Sequence, residues 1–224
     1  MTHLEESLKA LRRSLKEMAE LVQHQMVKSI ASLLEHNEDL ANEVIRNERR
    51  VNSFELTIDR QCEQIFTLLT PVAHDMRLVF ATLKINADLE RIGDYAEGIS
   101  KLVLLGRKQF DPVLIEKIRL INMSAISKEM LDQVIKAYCE EDSNLARVVF
   151  SRDLELNDIN HHATNIAIEY CQENIGKMHQ AMYLLSIVRK LERVGDHITN
   201  IAEEIIFFKE AKILKHGNKG EELR

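Results

Sequence analysis

The chain has 224 residues, with 30 basic and 36 acidic side chains and a formal net charge of −6. An acidic chain gives no support for a nucleic-acid-binding protein, which is usually basic. It has only two prolines and seven glycines, and its other residues favour helix, so we predict an all-α protein.

The cysteines and the apolar segments indicate where the protein works. Cys62, Cys139 and Cys171 are odd in number and lack a C-x-x-C spacing, which favours free thiols in a reducing compartment. No segment approaches the roughly 18 apolar residues of a membrane span, and the first residues do not resemble a signal peptide. We therefore expect a soluble, cytoplasmic protein.

Apolar residues recur at spacings of three and four along most of the chain, which predicts long amphipathic helices. Polar and proline-containing breaks separate six of them, at residues 3–34, 38–69, 74–105, 112–139, 144–172 and 177–212. The second helix stops before Pro71, because proline disfavours helix in the preceding residue. The fourth begins at Asp111-Pro112, an N-cap followed by a first-turn proline.

A short motif divides these helices into two sets of three. Glu90-Arg91-Ile92-Gly93-Asp94 returns as Glu192-Arg193-Val194-Gly195-Asp196, at an offset of 192 − 90 = 102 residues. Short connections make neighbouring helices antiparallel. The repeat therefore predicts two tandem antiparallel three-helix bundles at residues 1–106 and 107–213, followed by a polar tail at 214–224.

The acids of the motif lie beside the predicted core rather than in it. Ile85, Leu89 and Ile92 form an apolar seam, and Glu90 follows Leu89 by one residue, a rotation of about 100° around the helix. Asp94, four residues after Glu90, lies on the same side as Glu90. The sixth helix repeats this arrangement. The second helix offers a matching polar stripe that comprises Asn52, Glu55 and Asp59.

The motif carries an energetic penalty that a bound cation would offset. Like charges four residues apart destabilise a helix by about 0.2–0.5 kcal/mol, and a mid-helix glycine costs about 1 kcal/mol relative to alanine. A cation would neutralise the carboxylates, and a missing side chain lets a neighbouring helix approach. Oxygen-rich sites suit Mg, Mn, Ca or iron. The alternative is a solvated acidic face in which Arg91 and Arg193 satisfy the neighbouring acids.

Together these residues resemble the PhoU family of phosphate-uptake regulators. The resemblance covers essentially the whole chain and rests on both motifs, on Val51-Asn52 followed by Glu55 and Asp59, and on Asp75-Met76-Arg77-Leu78-Val79. It implies multinuclear iron or zinc clusters on the surfaces of two similar bundles. It also implies contact with the Pst phosphate ABC transporter and its membrane histidine kinase, and repression of the phosphate-starvation response when phosphate is plentiful.

The resemblance also implies particular ligands. In the first site these are Glu55, Asp59, Glu90 and Asp94, to which Asp88 or Glu97 could add oxygens. In the second they are Glu192 and Asp196 with Asn157 and His161, the equivalents of Glu55 and Asp59 at the 102-residue offset; Asn200 and Glu203 could contribute. The second site has two fewer negative charges, which predicts weaker binding, fewer ions, or a preference for zinc through the imidazole.

Two other functions stay open at this stage. Asp158-x-x-His161 is faintly similar to the Glu-x-x-His motif of di-iron proteins, which would suit a helical metal-storage or oxidase protein. The third candidate is a scaffold without metal. The sequence has no glycine-rich phosphate loop and no nucleophile pattern, so we expect a non-catalytic protein. Long exposed helices also allow a homodimer.

Overall fold

A computed structural model describes residues 2–106, 109–212 and 214, and within these ranges the chain forms helices and no strand. The helices are α1 (His3–Glu35), α2 (Glu38–Leu68), α3 (Ala73–Gly106), α4 (Pro112–Lys117), α5 (Leu120–Glu140), α6 (Ser143–Glu173) and α7 (Met178–Glu210). A single 3-10 turn, Ile175–Lys177, precedes α7. The predicted all-α fold is confirmed, while most of the predicted polar tail lies outside the described residues.

The predicted fourth helix is divided into α4 and α5. Arg119 separates them with a φ of 56°, in the left-handed region that is costly for a residue with a Cβ. The start of α4 agrees with the prediction, because the Asp111 side chain accepts a hydrogen bond from the Val113 N–H at 3.0 Å. Arginine is not one of the residues that mark turns, so the sequence did not predict this break.

The helices form two bundles that pack side by side. α1, α2 and α3 contact one another, and so do α5, α6 and α7, while α3 lies along α7 and α1 along α5. The α3–α7 pair is antiparallel: Lys84 Nζ lies 3.1 Å from Glu204 Oε1, and Asp88 Oδ1 lies 2.7 Å from His197 Nδ1. One continuous apolar core runs through both bundles.

A cluster of charges fixes one end of this arrangement. Glu141 caps α5 and binds the Arg12 guanidinium from α1. His74 Nε2 and Lys209 Nζ each lie 3.5 Å from its carboxylate, which links α3 and α7 to the same group. Burial acts to raise the pKa of Glu141, but the Arg12 hydrogen bond and the surrounding positive charges hold that pKa below its usual value. Glu141 therefore ties both bundles together.

None of the described helices in residues 2–106 and 109–212 is both long enough and apolar enough to cross a membrane.

Candidate metal centre

The two motifs occupy equivalent surroundings on α3 and α7. The Glu90 and Asp94 side chains are 18% and 39% exposed, and those of Glu192 and Asp196 are 19% and 40% exposed. Ile92, between the first pair, is fully buried. The prediction that the acids lie beside the core is therefore correct.

Each motif arginine contacts the acids of its own motif. Arg91 donates from Nη1 to Asp94 Oδ2 at 3.0 Å, and its Nε lies 3.6 Å from Glu90. Arg193 repeats both contacts at 3.1 Å and 3.6 Å. Both arginine side chains are more than half exposed, so these ion pairs are screened by water and contribute little stability.

Sequence reasoning missed Glu48, a buried carboxylate of α2 that lies directly over Gly93. A Cβ on Gly93 would lie 3.1 Å from Glu48 Oε2 and 3.2 Å from Val51 Cγ1, so the glycine makes room for this side chain. Glu48 is only 5% exposed, and neither carboxylate oxygen has a hydrogen-bond partner. Its position four residues before Asn52 repeats the spacing of Glu90 and Asp94, and this was the signal that could have revealed it.

The surroundings of Glu48 raise the pKa of its carboxyl group. Burial, followed by the charges of Asp94, Glu97 and Glu90, raises the pKa of Glu48 to about 7. A buried charge without a partner is strongly unfavourable, so such a group either holds a proton or faces a cation. The chemistry of this orphaned carboxylate suits a metal ligand.

Glu55 and Asp59 lie further along α2, towards α3. Asn86 of α3 donates from Nδ2 to the Glu55 carbonyl at 3.0 Å and to Asp59 Oδ1 at 2.9 Å. Burial, then the charges of Asp59 and Asp94, raise the pKa of Glu55. Burial, Asp94 and Glu55 likewise raise the pKa of Glu90. The four predicted acids of the first site are therefore close enough to influence one another.

The second bundle has a different register from the one we predicted. A Cβ on Gly195 would lie 2.6 Å from Leu156 Cδ1 and 2.8 Å from Asp153 Oδ1. Asp153 therefore corresponds to Glu48 and Leu156 to Val51, at an offset of 105 residues rather than 102. The N-caps of α2 and α6, Asn37 and Asp142, are 105 residues apart as well. The chain from Asp153 on α6 to Gly195 on α7 is therefore three residues shorter than the chain from Glu48 on α2 to Gly93 on α3.

This register corrects the predicted equivalences. The counterparts of Glu55 and Asp59 are Asn160 and Thr164, and not Asn157 and His161. Asn157 instead corresponds to Asn52 and donates from Nδ2 to Asp153 Oδ2 at 3.1 Å. His161 is exposed on α6. Whether Asn157 and His161 bind metal stays a prediction, but the alignment that suggested them was wrong.

Of the four residues predicted as additional ligands, only Glu97 lies beside the motif acids of the first site. Asp88 points to α7, where its Oδ1 accepts hydrogen bonds from Asn200 at 3.2 Å and contacts His197, so Asp88 and Asn200 pair with each other. Glu97 stays beside the first site and binds Lys101 at 2.6 Å. Glu203 is buried in α7.

Two further observations bear on metal binding. In the described ranges, no group of three or more His, Cys, Asp or Glu side chains is arranged so that it could hold a metal ion. The half-exposed acids of the first site would therefore have to turn towards Glu48 to share one.

The oxidase candidate gains no support, because Asp158 contacts His162 rather than His161 and both lie on the surface of α6.

Comparison with known proteins agrees with this fold. The PhoU domain family model matches twice, at residues 15–103 and 120–205. A phosphate-specific transport system accessory protein PhoU homolog of Zymomonas mobilis is 30% identical over 98% of this chain and 92% of its own length. The corresponding homolog of Aquifex aeolicus is 32% identical over 89% of each chain.

Solved structures give the same result. The crystal structure of PhoU from Pseudomonas aeruginosa superposes with a TM-score of 0.89 at 26% identity, over 94% of this chain and all of that one. PhoU from Streptococcus pneumoniae shares the fold, with a TM-score of 0.84 at 22% identity over 94% of this chain and 99% of that one. With two matched domains and a relative aligned along nearly its whole length, the chain belongs to the PhoU family.

Proposed function

We propose that this protein is a cytoplasmic, metal-binding regulator of phosphate uptake and phosphate-starvation signalling. It acts through contact with a Pst-type phosphate transporter and a membrane histidine kinase, and not through catalysis. The names of relatives support this role: those from Zymomonas mobilis and Escherichia coli are accessory proteins of a phosphate-specific transport system. Repression takes place when phosphate is ample.

The proposed first metal site joins α2 to α3. Glu48, Glu90 and Asp94 hold an iron or zinc ion, and Glu55 and Asp59 supply further oxygens for a multinuclear cluster. The observation that carries this proposal is the Glu48 carboxylate, which is buried against Gly93 without a hydrogen-bond partner. A bound metal ion would supply positive charge to these acids, and Glu48 would be its buried ligand.

The proposed second site is poorer in acids. Asp153, Glu192 and Asp196 are its carboxylates, and Asn157 and His161 stay candidates as neutral ligands. Asn160 and Thr164 replace the acids that Glu55 and Asp59 bring to the first site. We expect the second site to hold fewer ions or to hold them more weakly.

Metal analysis of the purified protein tests this proposal. Wild-type protein should contain transition metal, and most of the metal bound by the first bundle should be lost in Glu48→Gln and in the Glu90→Ala/Asp94→Ala double variant. Glu63→Gln, at an exposed position of α2, is the matched control. Unchanged metal content in the double variant would show that Glu90 and Asp94 are not metal ligands. Sustained Fe(II) oxidation would instead favour the storage or oxidase function, and normal partner binding without metal would favour the scaffold.

A genetic experiment tests the regulatory role separately. Deleting the gene should raise alkaline phosphatase expression in medium rich in phosphate, and the wild-type gene should restore repression. Unchanged phosphatase expression after deletion would contradict the regulatory proposal, whatever metal the protein holds.

A further inference from the structure

The outward face of α3 is apolar in its first half and acidic in its second half. Residues 76, 80, 83, 87, 90, 94 and 97 follow steps of four and three, so they occupy one side of the helix. We define the α3 stripe by its apolar half, Met76, Phe80 and Leu83, and its acidic half, Glu90, Asp94 and Glu97. Met76, Phe80 and Leu83 are 42%, 43% and 36% exposed, which is unusual for three neighbouring apolar side chains.

α7 repeats this arrangement 102 residues later. The α7 stripe comprises Met178, Met182, Leu185, Glu192 and Asp196. Met178 and Met182 are 52% and 64% exposed, and Leu185 is half-buried. Both motif helices therefore present an apolar half followed by an acidic half, although the core requires apolar residues only on the opposite side.

An approximate two-fold axis relates the two stripes. Asp88 of α3 contacts His197 of α7 at 2.7 Å. Adding 102 to Asp88 gives Lys190, and subtracting 102 from His197 gives Tyr95; Lys190 Nζ lies 5.7 Å from the Tyr95 ring centroid. The pair of equivalent positions is thus in contact twice, with the helices exchanged, although the two contacts differ in chemistry. The midpoint of these pairs is close to Ile92.

This symmetry sets the layout of the shared face. The acidic halves lie near the middle, and the apolar halves lie at opposite ends of the antiparallel pair. Phe80 is 12 residues from Ile92, or about 18 Å at 1.5 Å per residue, so the two apolar halves are about 35 Å apart. The face is therefore acidic at its centre and apolar at both ends.

We propose that this face docks the phosphate transport machinery by receiving one amphipathic helix of the partner on each stripe. Each such helix carries apolar residues every three or four positions in one half and lysine or arginine in the other. This inference rests on the proposed function and names the surface through which that function works. Two related stripes suit a partner whose own docking helices are related by a two-fold axis.

Three features favour this occupant. Apolar side chains at three- and four-residue spacing are what a helix presents to another helix. The methionines of both stripes adapt to the shape of a partner. The acidic halves of both stripes are complementary in charge to the basic half of such a helix.

Co-purification of the full-length chain with the phosphate transporter of the same organism, in detergent, tests the inference. We expect Met76→Glu/Phe80→Glu and Met178→Glu/Met182→Glu each to weaken binding at least about tenfold, since buried apolar anchors dominate interfaces. The control variants Val27→Glu and Ile121→Glu are on α1 and α5, where the residues are 43% and 51% exposed, and they should bind within about twofold of wild type.

The outcomes separate the surface from the function. If wild type fails to bind the transporter, the proposed contact and this inference both fail. If wild type binds and the stripe variants bind equally well, the surface is wrong and the function stands. Loss of self-association without loss of transporter binding, seen by sedimentation, would make the face a contact between copies and overturn the inference. Melting curves check folding, and Met76→Gln and Met182→Gln provide milder versions of the same test.

Discussion

Replacing Glu48 with glutamine should stabilise the metal-free protein at alkaline pH. Glutamine has nearly the same shape as glutamate but no charge, so it keeps the packing over Gly93 and removes the buried carboxylate. Burial and the neighbouring acids raise the pKa of Glu48 from 4.5 to about 7. The folded state therefore binds this proton more tightly than the unfolded state does.

The direction of the pH effect follows from this difference. Below pH 4.5 the group is protonated in both states and makes no difference. As the pH rises to about 7, the unfolded chain releases the proton first, and the free energy of unfolding falls. At 1.36 kcal/mol per pKa unit the penalty is about 3 kcal/mol at pH 8, an upper value because the side chain can move towards water.

Urea unfolding in the presence of a chelator, followed by circular dichroism, measures this effect. We expect Glu48→Gln to exceed wild type in free energy of unfolding by about 2–3 kcal/mol at pH 8 and to match it at about pH 4. Glu63→Gln should show no such pH-dependent gain. Added zinc or iron should stabilise wild type more than Glu48→Gln, which keeps the proposed second site. Equal stability of Glu48→Gln and wild type at pH 8 would refute the reasoning.

Three further predictions concern the second bundle and its contacts. Gly195→Ala should lower the free energy of unfolding by about 1–3 kcal/mol, measured by urea titration, because the new methyl would lie 2.6 Å from Leu156; a neutral result would show that this side chain simply moves aside. The hydrogen bond from Arg147 lowers the pKa of Glu210 to about 2, so this pair should stabilise the fold above pH 4.5 and lose that effect as the pH falls towards 2. Glu210→Gln should therefore flatten the acid limb of a melting-temperature profile, and an unchanged limb would count against the pair. Asn160→Glu should increase metal bound by the second bundle in equilibrium dialysis, whereas an increase only in a variant with an acid at position 161 would favour the 102-residue register.

Much of the fold could be predicted because helices are encoded locally. Apolar spacing and the caps at Asn37 and Asp142 define most helix ends, and Asp111-Pro112 starts α4 as expected. The break at Arg119 could not be predicted, because a left-handed conformation is costly for arginine and no glycine, asparagine or proline marks the position.

The candidate site was predictable in part for a related reason. Glu90 and Asp94 were recognisable because their motif repeats and lies off the core seam. Glu48 and Asp153 occupy buried positions, where a pattern of apolar spacing does not anticipate a carboxylate. Their equivalence appears only when the packing over Gly93 and Gly195 is compared, because the three-residue difference arises between helices and leaves each helix regular.

The most direct test of the account is anomalous X-ray diffraction from crystals of the protein loaded with iron or zinc. The account predicts a metal peak within about 2.0–2.3 Å of a Glu48 carboxylate oxygen, with Glu90 or Asp94 completing the coordination. Metal bound only at other places in loaded crystals, with Glu48 left without a ligand, would contradict it.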